Sequence, residues 1–174
     1  MDSIQEYSDF GSHIPILRKL FYHFDIKRIL EFGMGDFSTT FFLDHHPELL
    51  VSLEMNDEWL AKCQTKHPNH HCLRLEGSDM NDYLEKTPAG HFDLIFIDGP
   101  QGDRWRQLDI AWTGHKSKFV VAHDRTCATL EYHRVQRPPE WYEFYCQTGN
   151  FTAITGVSCA DRTLKRLLWK ILMT

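Results

Sequence analysis

Short apolar runs alternate with amphipathic stretches along most of the chain. Apolar residues at helical spacing between Ile14 and Phe24 predict a helix that leads into a first strand at 27–32. The same alternation then predicts helix 38–45, strand 49–54, helix 57–66, strand 71–75, a short helix at 79–86, strand 92–97, helix 103–113 and strand 117–122. Regular alternation of this kind indicates a parallel sheet with helices on both faces.

The last part of the chain has a different pattern. Beyond Pro138 and Pro139, β-rich runs at 141–147 and 151–157 flank three turn residues, which predicts an antiparallel hairpin that closes one edge of the sheet. The tail, 160–174, carries Leu and Ile at helical spacing with Arg and Lys between them. We expect it to pack on the domain as a helix or strand extension, with a dimer contact or a membrane-surface helix as the alternatives.

Length and composition are those of one globular unit. The chain has 174 residues, of which 42% are hydrophobic and 25% charged, so it can bury a core without a disulfide or metal to stabilise it. Its five cysteines are an odd number without a Cys-x-x-Cys pair, which favours free thiols in a reducing compartment. No apolar run is long enough to span a membrane and the start lacks a basic signal segment, so we expect a cytoplasmic protein.

The net charge of −5, with scattered basic residues, gives no strong nucleic-acid signal. Two basic groups are the candidates for anionic contact: Arg104-Trp105-Arg106, and Lys165-Arg166 with Lys170. Such residues are more often a solvated helix face.

A turn through two glycines directly follows the first predicted strand. The apolar run ends near Glu31, and Gly33 and Gly35 precede the next helix. Glycine permits positive φ and close approach of a ligand to the backbone. The second strand ends in Glu54, about twenty residues later, where a nucleotide-binding βαβ unit places the acid that holds a ribose. The alternatives are a tight turn in another α/β fold and, for Glu54, a place beside a helix N-terminus.

Polar or small residues follow all five parallel strands of the prediction. Because ligands bind beyond the carboxyl ends of parallel strands, these residues are the candidate site. They are Glu31, Gly33 and Gly35 after the first strand, Glu54 and Met55 after the second, Gly77, Ser78 and Asp79 after the third, Asp98 and Gly99 after the fourth, and His123 and Asp124 after the fifth.

Four segments and the terminal hairpin together match one enzyme family. The segments are 31–40, 51–54, 76–80 and 92–100. With them the chain resembles the class I S-adenosylmethionine-dependent methyltransferases over nearly its whole length, and more narrowly a subgroup with Asp98-Gly99 and His123-Asp124. It departs from many relatives at Phe37, near the position of their third glycine, and it lacks the Asn-Pro-Pro-Tyr element of nucleic-acid amino methyltransferases.

The resemblance implies a fold and a domain organisation. The expected fold is a single-domain Rossmann-like three-layer sandwich, α/β, with a mostly parallel seven-stranded sheet and a C-terminal antiparallel hairpin. Within the single domain 1–174, we expect a helical lead-in at 1–26, a nucleotide-binding core at 27–137, and the closing hairpin and tail at 138–174.

The resemblance also implies S-adenosylmethionine as cofactor. Its methionine side would lie against the glycine turn, Glu54 would hold the ribose, and residues 78–80 would flank the adenine. The cofactor-binding residues expected are Glu31, Gly33, Gly35, Ser38, Thr39, Glu54, Met55, Ser78, Asp79, Met80, Asp98 and Gly99.

Methyl transfer to oxygen requires that the acceptor lose a proton. His123 titrates in a suitable range for a general base, and Asp124 or Asp98 would orient it. The alternative, drawn from catechol-type relatives, is a divalent metal held by Asp98 and Asp124. Arg125 stands where those relatives supply a third ligand, so a metal is not favoured.

Other chemistry-bearing residues have ordinary interpretations. Residues 67–72 and the pair His45-His46 do not have the spacing of a closed zinc site, and Cys127 has no partner that would activate it. The acceptor expected is a small molecule or glycan, recognised by short loops, the Arg104 region, a second subunit or a partner protein bound through the tail. The alternative functions are a non-catalytic S-adenosylmethionine-binding module and a NAD-dependent oxidoreductase.

Overall fold

The structure, a computed structural model, describes residues 11–63, 67–76, 90–100, 103–113, 116–126, 132–147 and 154–173. The helices within these ranges are α1 (Ile14–His23), α2 (Ser38–Asp44), α3 (Asp57–Cys63), α4 (Arg104–Thr113) and α5 (Arg162–Met173), with a 3-10 turn at Tyr132–Arg134. The strands are β1 (Arg28–Phe32), β2 (Leu49–Glu54), β3 (His70–Arg74), β4 (His91–Ile97), β5 (Lys116–Ala122), β6 (Tyr142–Gln147) and β7 (Ile154–Cys159). The predicted helix at 79–86 and the hairpin turn at 148–150 lie outside the described residues.

The strands form one seven-stranded sheet in the order β3-β2-β1-β4-β5-β7-β6. β1 to β5 pair in parallel, whereas β7 is antiparallel to both β5 and β6. The predicted fold class, a mostly parallel seven-stranded sheet with a terminal antiparallel hairpin, is therefore confirmed. The chain winds outward in one direction through β2 and β3 and in the other through β4 and β5, so the crevice at the strand-order reversal opens between β1 and β4.

Apolar side chains on both faces of the central strands explain this architecture. Along β4, Leu94 and Phe96 pack into the layer that contains α1, α2 and α5, whereas Ile95 and Ile97 pack into the layer that contains α4. A strand covered on both faces has no polar alternation, as the consecutive apolar positions of 94–97 predicted. The two layers hold the carboxyl ends of β1, β4 and β5 side by side.

The opposite, amino edge of the sheet contains a buried acid at the start of β4. One carboxylate oxygen of Asp93 accepts hydrogen bonds from the backbone N–H groups of Lys27 and Arg28, both at 2.9 Å. The other oxygen lies 2.6 Å from Nζ of Lys118. Burial alone would raise the pKa of Asp93, but these donors outweigh it and lower the pKa. Asp93 thus fixes the entry to β1 beside β4 and β5.

The tail forms a helix, one of the two packed forms that its spacing allowed. Leu168, Ile171 and Leu172 of α5 are buried, and the Lys19 ammonium of α1 donates to the carbonyl oxygen of Ile171 at 3.1 Å. Across the described residues, the structure contains no helix with the length and apolar character needed to cross a membrane.

The cysteines differ from the expectation of five free thiols. Cys146 and Cys159 are free and buried, and burial raises the pKa of each thiol to about 11, which makes both poor nucleophiles. Cys72, however, is disulfide-bonded, so the prediction of a fully reduced chain is wrong at this position. An odd number of cysteines excludes complete pairing but does not exclude one bond. Cys127 lies outside the described residues.

Candidate active site

The two glycines of the β1–α2 turn have different structural roles. Gly33 has a φ of +85°, and a Cβ on it would lie 2.5 Å from the Cα of Gly99 in the loop after β4. Gly33 therefore allows two loops of the crevice to touch. A Cβ on Gly35 would meet only Oγ of Ser38, at 3.6 Å, so the protein itself does not exclude a side chain there. The space beside Gly35 is where a ligand could approach bare backbone.

Beneath the turn lies Glu31, which is completely buried. Its carboxylate accepts hydrogen bonds from the hydroxyls of Ser38 at 2.7 Å, Thr39 at 3.0 Å and Ser52 at 2.6 Å. Burial raises the pKa of Glu31 to about 7, although these hydroxyls oppose the rise. Glu31, Ser38 and Thr39 thus support the turn from below, and their predicted contact with a cofactor stays a prediction.

Glu54 ties the second strand to the same turn. Its Oε2 accepts a hydrogen bond from the Met34 N–H at 2.8 Å, and its Oε1 accepts from the N–H groups of Met55 at 2.7 Å and Asn56 at 2.8 Å. The cap of α3 is Asn56, whose Oδ1 accepts from the Glu58 N–H at 2.8 Å. Asn56, and not Glu54, is therefore the capping residue of α3. Glu54 links the loop after β1 to the loop after β2, the two loops in which the sequence predicts cofactor binding.

On the other side of the crevice, His123 is held between an acid and a hydroxyl. Its Nδ1 lies 3.0 Å from Oδ1 of Asp98, and its Nε2 lies 2.9 Å from Oγ of Ser12. A carboxylate can only accept, so Nδ1 carries the proton and Nε2 is left as the acceptor in the neutral ring. The Tyr132 hydroxyl donates to the His123 carbonyl oxygen at 3.0 Å, which fixes the backbone as well. This is the orientation that a general base requires.

Arg104, at the start of α4, joins the two acids of this edge. Its Nη2 lies 2.7 Å from Oδ1 of Asp98, its Nη1 lies 3.2 Å from Oδ2 of Asp124, and its Nε donates to the Gly99 carbonyl oxygen at 2.7 Å. Its side chain is only 10% exposed, so the interpretation of Arg104 as part of a solvated helix face is wrong. A guanidinium with all three nitrogens engaged fixes both loops.

The charge state of Asp98 follows from these neighbours. Burial alone would raise the pKa of Asp98, but the hydrogen bond from His123 and the positive charges of protonated His123 and of Arg104 outweigh burial and lower the pKa. Asp98 is therefore a carboxylate near neutral pH. Next to it, Asp124 has a φ of +53°, a left-handed conformation that costs a non-glycine residue about 1 kcal/mol.

Sequence reasoning missed Ser12 and His13. His13 is 1% exposed, neither of its ring nitrogens has a hydrogen-bond partner, and its ring centroid lies 4.6 Å from that of His123. Burial, with the nearby charge of His123, lowers the pKa of His13 to about 3, so the ring is neutral. Only the fold brings it here, because His13 precedes α1 and is separated from His123 by most of the chain. No local pattern in the sequence marked it.

Comparisons with known proteins bear on the fold. No protein-family model and no curated protein matches the sequence. Among solved structures, an O-methyltransferase from Bacillus cereus in complex with SAH is 15% identical, with a TM-score of 0.63, over 90% of this chain and 82% of that one. The O-methyltransferase TomG from Streptomyces achromogenes in complex with SAM is 16% identical, with a TM-score of 0.63, over 91% and 82%. The N-methyltransferase NodS from Bradyrhizobium japonicum is 17% identical, with a TM-score of 0.57, over 84% and 91%.

The chain shares its Rossmann-like fold with these methyltransferase structures. The fold that the resemblance implied is thus confirmed, over most of the length of each of these proteins.

Within this methyltransferase fold, the residues at the expected metal position do not fit a divalent ion. Asp98 and Asp124 are both bound by the Arg104 guanidinium, which supplies positive charge where an all-oxygen site would need the cation. Arg125, which the sequence suggested as the repelling charge, instead forms a bidentate pair with Glu143, at 2.7 and 3.2 Å. The arginine that disfavours a metal at Asp98 and Asp124 is therefore Arg104 and not Arg125.

Among the described residues, one group of three metal-type donors comes together at this edge: His13, Asp98 and His123, with one donor atom from each within 4.8 Å of the others. Both nitrogens of His123 already have partners, Ser12 and Asp98.

The remaining residues singled out in the sequence lie around the turn and the strand ends or outside the described ranges. His70 contacts Oγ of Ser52 at 2.9 Å and Sγ of Cys72 at 3.3 Å, and burial lowers its pKa to about 4. Ser78, Asp79 and Met80, the expected adenine contacts, lie outside the described residues. Met55 is half-buried beside Glu54, and Gly99 is buried against the Gln107 side chain.

Proposed function

We propose that this protein is an S-adenosylmethionine-dependent methyltransferase that acts on an oxygen of a small-molecule or glycan-type acceptor. The observation that carries the proposal is the meeting of two arrangements at one sheet edge: the glycine turn bound by Glu54, and the oriented imidazole of His123 bound by Asp98. The first is suited to holding a nucleoside, and the second to removing a proton. The likeness of the fold to methyltransferase structures supports the same conclusion.

The cofactor side of the proposal uses backbone more than side chains. The open space beside Gly35 would admit the methionine portion, and the Glu54 carboxylate lies at the mouth of the turn where the ribose is expected. S-adenosylmethionine bound there supplies an electrophilic methyl group on a positively charged sulfur. Buried Glu31 would keep the turn in its bound shape, which reduces the entropy lost on binding.

The acceptor side relies on His123. Nε2 of His123 would take the proton of the acceptor hydroxyl, while bound S-adenosylmethionine would supply the methyl group for the new O–CH3 bond and keep the electron pair of the methyl–sulfur bond on sulfur. The Ser12 hydroxyl, 2.9 Å from Nε2, occupies the position beside this nitrogen in the structure, so the acceptor hydroxyl would have to take its place. Asp98 stabilises the imidazolium that forms, and Arg104 keeps Asp98 ionised and in place.

Recognition of the acceptor is part of the proposal. Trp105 is half-buried at the first turn of α4, with the Arg106 guanidinium 4.8 Å and the Arg134 guanidinium 5.7 Å from its ring centroid. Such a platform of an aromatic ring and cations at the rim suits a polar or anionic acceptor such as a sugar. The protein is expected to act in the cytoplasm, alone or with a partner protein.

Two measurements test the proposal in sequence. Isothermal calorimetry with S-adenosylhomocysteine, and separately with NAD, asks which nucleoside binds, and we expect heat from the first alone. Transfer of labelled methyl from S-adenosylmethionine to hydroxyl-bearing small molecules and glycans then asks for the reaction. Absence of S-adenosylhomocysteine binding, or tight NAD binding in its place, would overturn the proposal.

A matched pair of histidine variants tests the base. His123→Gln should lower the rate of transfer by about 10²- to 10⁴-fold, the usual contribution of a positioned base, while calorimetry shows unchanged cofactor binding. His133→Gln, at an exposed position on the 3-10 turn, should leave both unchanged. An equal loss of transfer rate in the two variants would show that His123 is not the general base.

A further inference from the structure

Helix α5 has two unlike faces. Leu168, Ile171 and Leu172 face inward and are buried, in the layer that also holds α1 and β6. The outward face carries large apolar residues, with Leu167 42%, Trp169 58% and Met173 47% exposed. Six large hydrophobic residues are exposed among those described, so this one helix contributes half of them. Scattered exposed hydrophobics need no explanation, but a group on one helix does.

The same outward face is strongly basic. The helix contains four cationic residues and no acidic one, within a chain whose net charge is −5. Arg162, Lys165, Arg166 and Lys170 are all exposed. At 100° per residue, Arg162, Arg166, Trp169, Lys170 and Met173 share one side of the helix, so the apolar side chains stand among the cations.

The cations at the start of α5 line a cleft of about 530 Å³ with Tyr142 of β6. Arg162 donates from Nε to the Tyr142 hydroxyl at 3.2 Å, and Nζ of Lys165 lies 4.1 Å from the centroid of the same ring. Asp161, the acid at the helix start, accepts hydrogen bonds from the N–H groups of Thr163 and Leu164, at 2.6 and 3.1 Å. Its carboxylate therefore caps the helix. The cleft keeps a positively charged wall whose Arg and Lys side chains can donate hydrogen bonds to a phosphate.

We propose that the outward face of α5 docks on an anionic lipid membrane, with the helix lying in the plane of the surface. Charge complementarity identifies the occupant, because cations concentrated on one face of an acidic protein attract a negative surface in one orientation only. Trp169 and Met173, between those cations, match the interfacial position that Trp and other apolar side chains take in membrane-surface helices. The cleft at Tyr142 accepts a lipid phosphate. An acidic protein segment would be met by the cations but leaves the flanking apolar side chains unexplained.

Vesicle sedimentation of the full-length protein tests the proposal. We expect binding to phosphatidylcholine vesicles that contain phosphatidylserine, weakening as salt is added, and no binding to vesicles of phosphatidylcholine alone. The emission of wild-type protein should shift to the blue on binding, and the Trp169→Phe variant should lose most of that shift. Equal binding to both vesicle types, or none to either, would overturn the proposal.

Two exposed arginines give a matched charge reversal. Arg166→Glu should weaken binding to the anionic vesicles by at least about fivefold, the effect of one surface cation near such a membrane. Arg137→Glu, which makes the same change of charge at an exposed position outside α5, should leave binding unchanged. If Arg166→Glu instead abolished binding to polyglutamate while vesicles were not bound at all, the face would be a site for acidic protein, and the membrane proposal would be wrong. None of these results depends on methyl transfer.

Discussion

Asp93 and Asp98 lie five residues apart, at opposite ends of β4, and both are buried or nearly so with a lowered pKa. Their partners differ. Asp93 is bound by two backbone N–H groups and the Lys118 ammonium, whereas Asp98 is bound by His123 and Arg104. The partners of Asp93 are backbone amides and an ammonium, whereas one partner of Asp98 is an imidazole, the group most often used in general acid–base catalysis. Burial and a lowered pKa are therefore common to the two acids, and the chemistry of their partners is what differs.

Glu31 extends the comparison to a third kind of buried acid. It is bound by hydroxyls alone, without a cation, and burial accordingly raises its pKa to about 7. The same sheet thus contains one acid bound by backbone amides and an ammonium, one bound by an imidazole and a guanidinium, and one bound by hydroxyls alone.

The largest effect should separate the two aspartates by activity. Asp98→Asn keeps the shape but removes the charge that stabilises imidazolium at His123, so methyl transfer per folded molecule should fall by about 10²- to 10⁴-fold. Asp93→Asn should leave that rate within about twofold. Initial rates with labelled S-adenosylmethionine, corrected for the folded fraction by circular dichroism, measure both. A similar fall in the two variants would mean that the partners do not define the roles.

The next effect concerns Glu31 and pH. In the folded protein its pKa is about 7, against an ordinary value of 4.5, so the native state retains a proton that the unfolded chain has lost. The free energy of unfolding should therefore fall as pH rises from about 4.5 to 7, by about 3 kcal/mol from this group, and then level off. Glu31→Gln should flatten that decline in urea unfolding, and exposed Glu58→Gln should not. An identical slope in wild type and Glu31→Gln would contradict the raised pKa.

The smallest effect should appear at the scaffold end of β4. Asp93→Asn replaces charge-assisted hydrogen bonds with neutral ones, and Lys118 is half exposed, so we expect a loss of about 1 to 2 kcal/mol in the free energy of unfolding. Urea unfolding monitored by tryptophan fluorescence gives this value. Unchanged stability would show that water replaces the carboxylate at Lys27 and Arg28 without cost.

Much of the fold followed from local patterns in the sequence. Consecutive apolar positions at 94–97 predicted a doubly covered strand, and the glycines at 33 and 35 predicted the turn that opens the crevice. These features depend on neighbours in the chain, where side-chain periodicity and glycine geometry act directly.

The part of the candidate site around His123 and Asp98 was only partly predictable. His123 and Asp98 were expected, since strand ends converge at one edge. The positions of Ser12, His13 and the Arg104 side chain depend on contacts between distant segments, which no local pattern encodes. The opposite roles of Arg104 and Arg125 likewise follow from which acid each one meets in space.

The contact between Gly33 and Gly99 couples the two sides of the crevice mechanically. With their backbones touching, the turn expected to carry the nucleoside and the loop that begins with Asp98 have no room to slide past one another. A methyl group added at position 33 would overlap Gly99 and would therefore displace the loop that begins with Asp98, the partner of His123. Because the missing side chain of Gly33 is what lets these two loops meet, we expect a substitution at position 33 to alter turnover even where cofactor affinity survives.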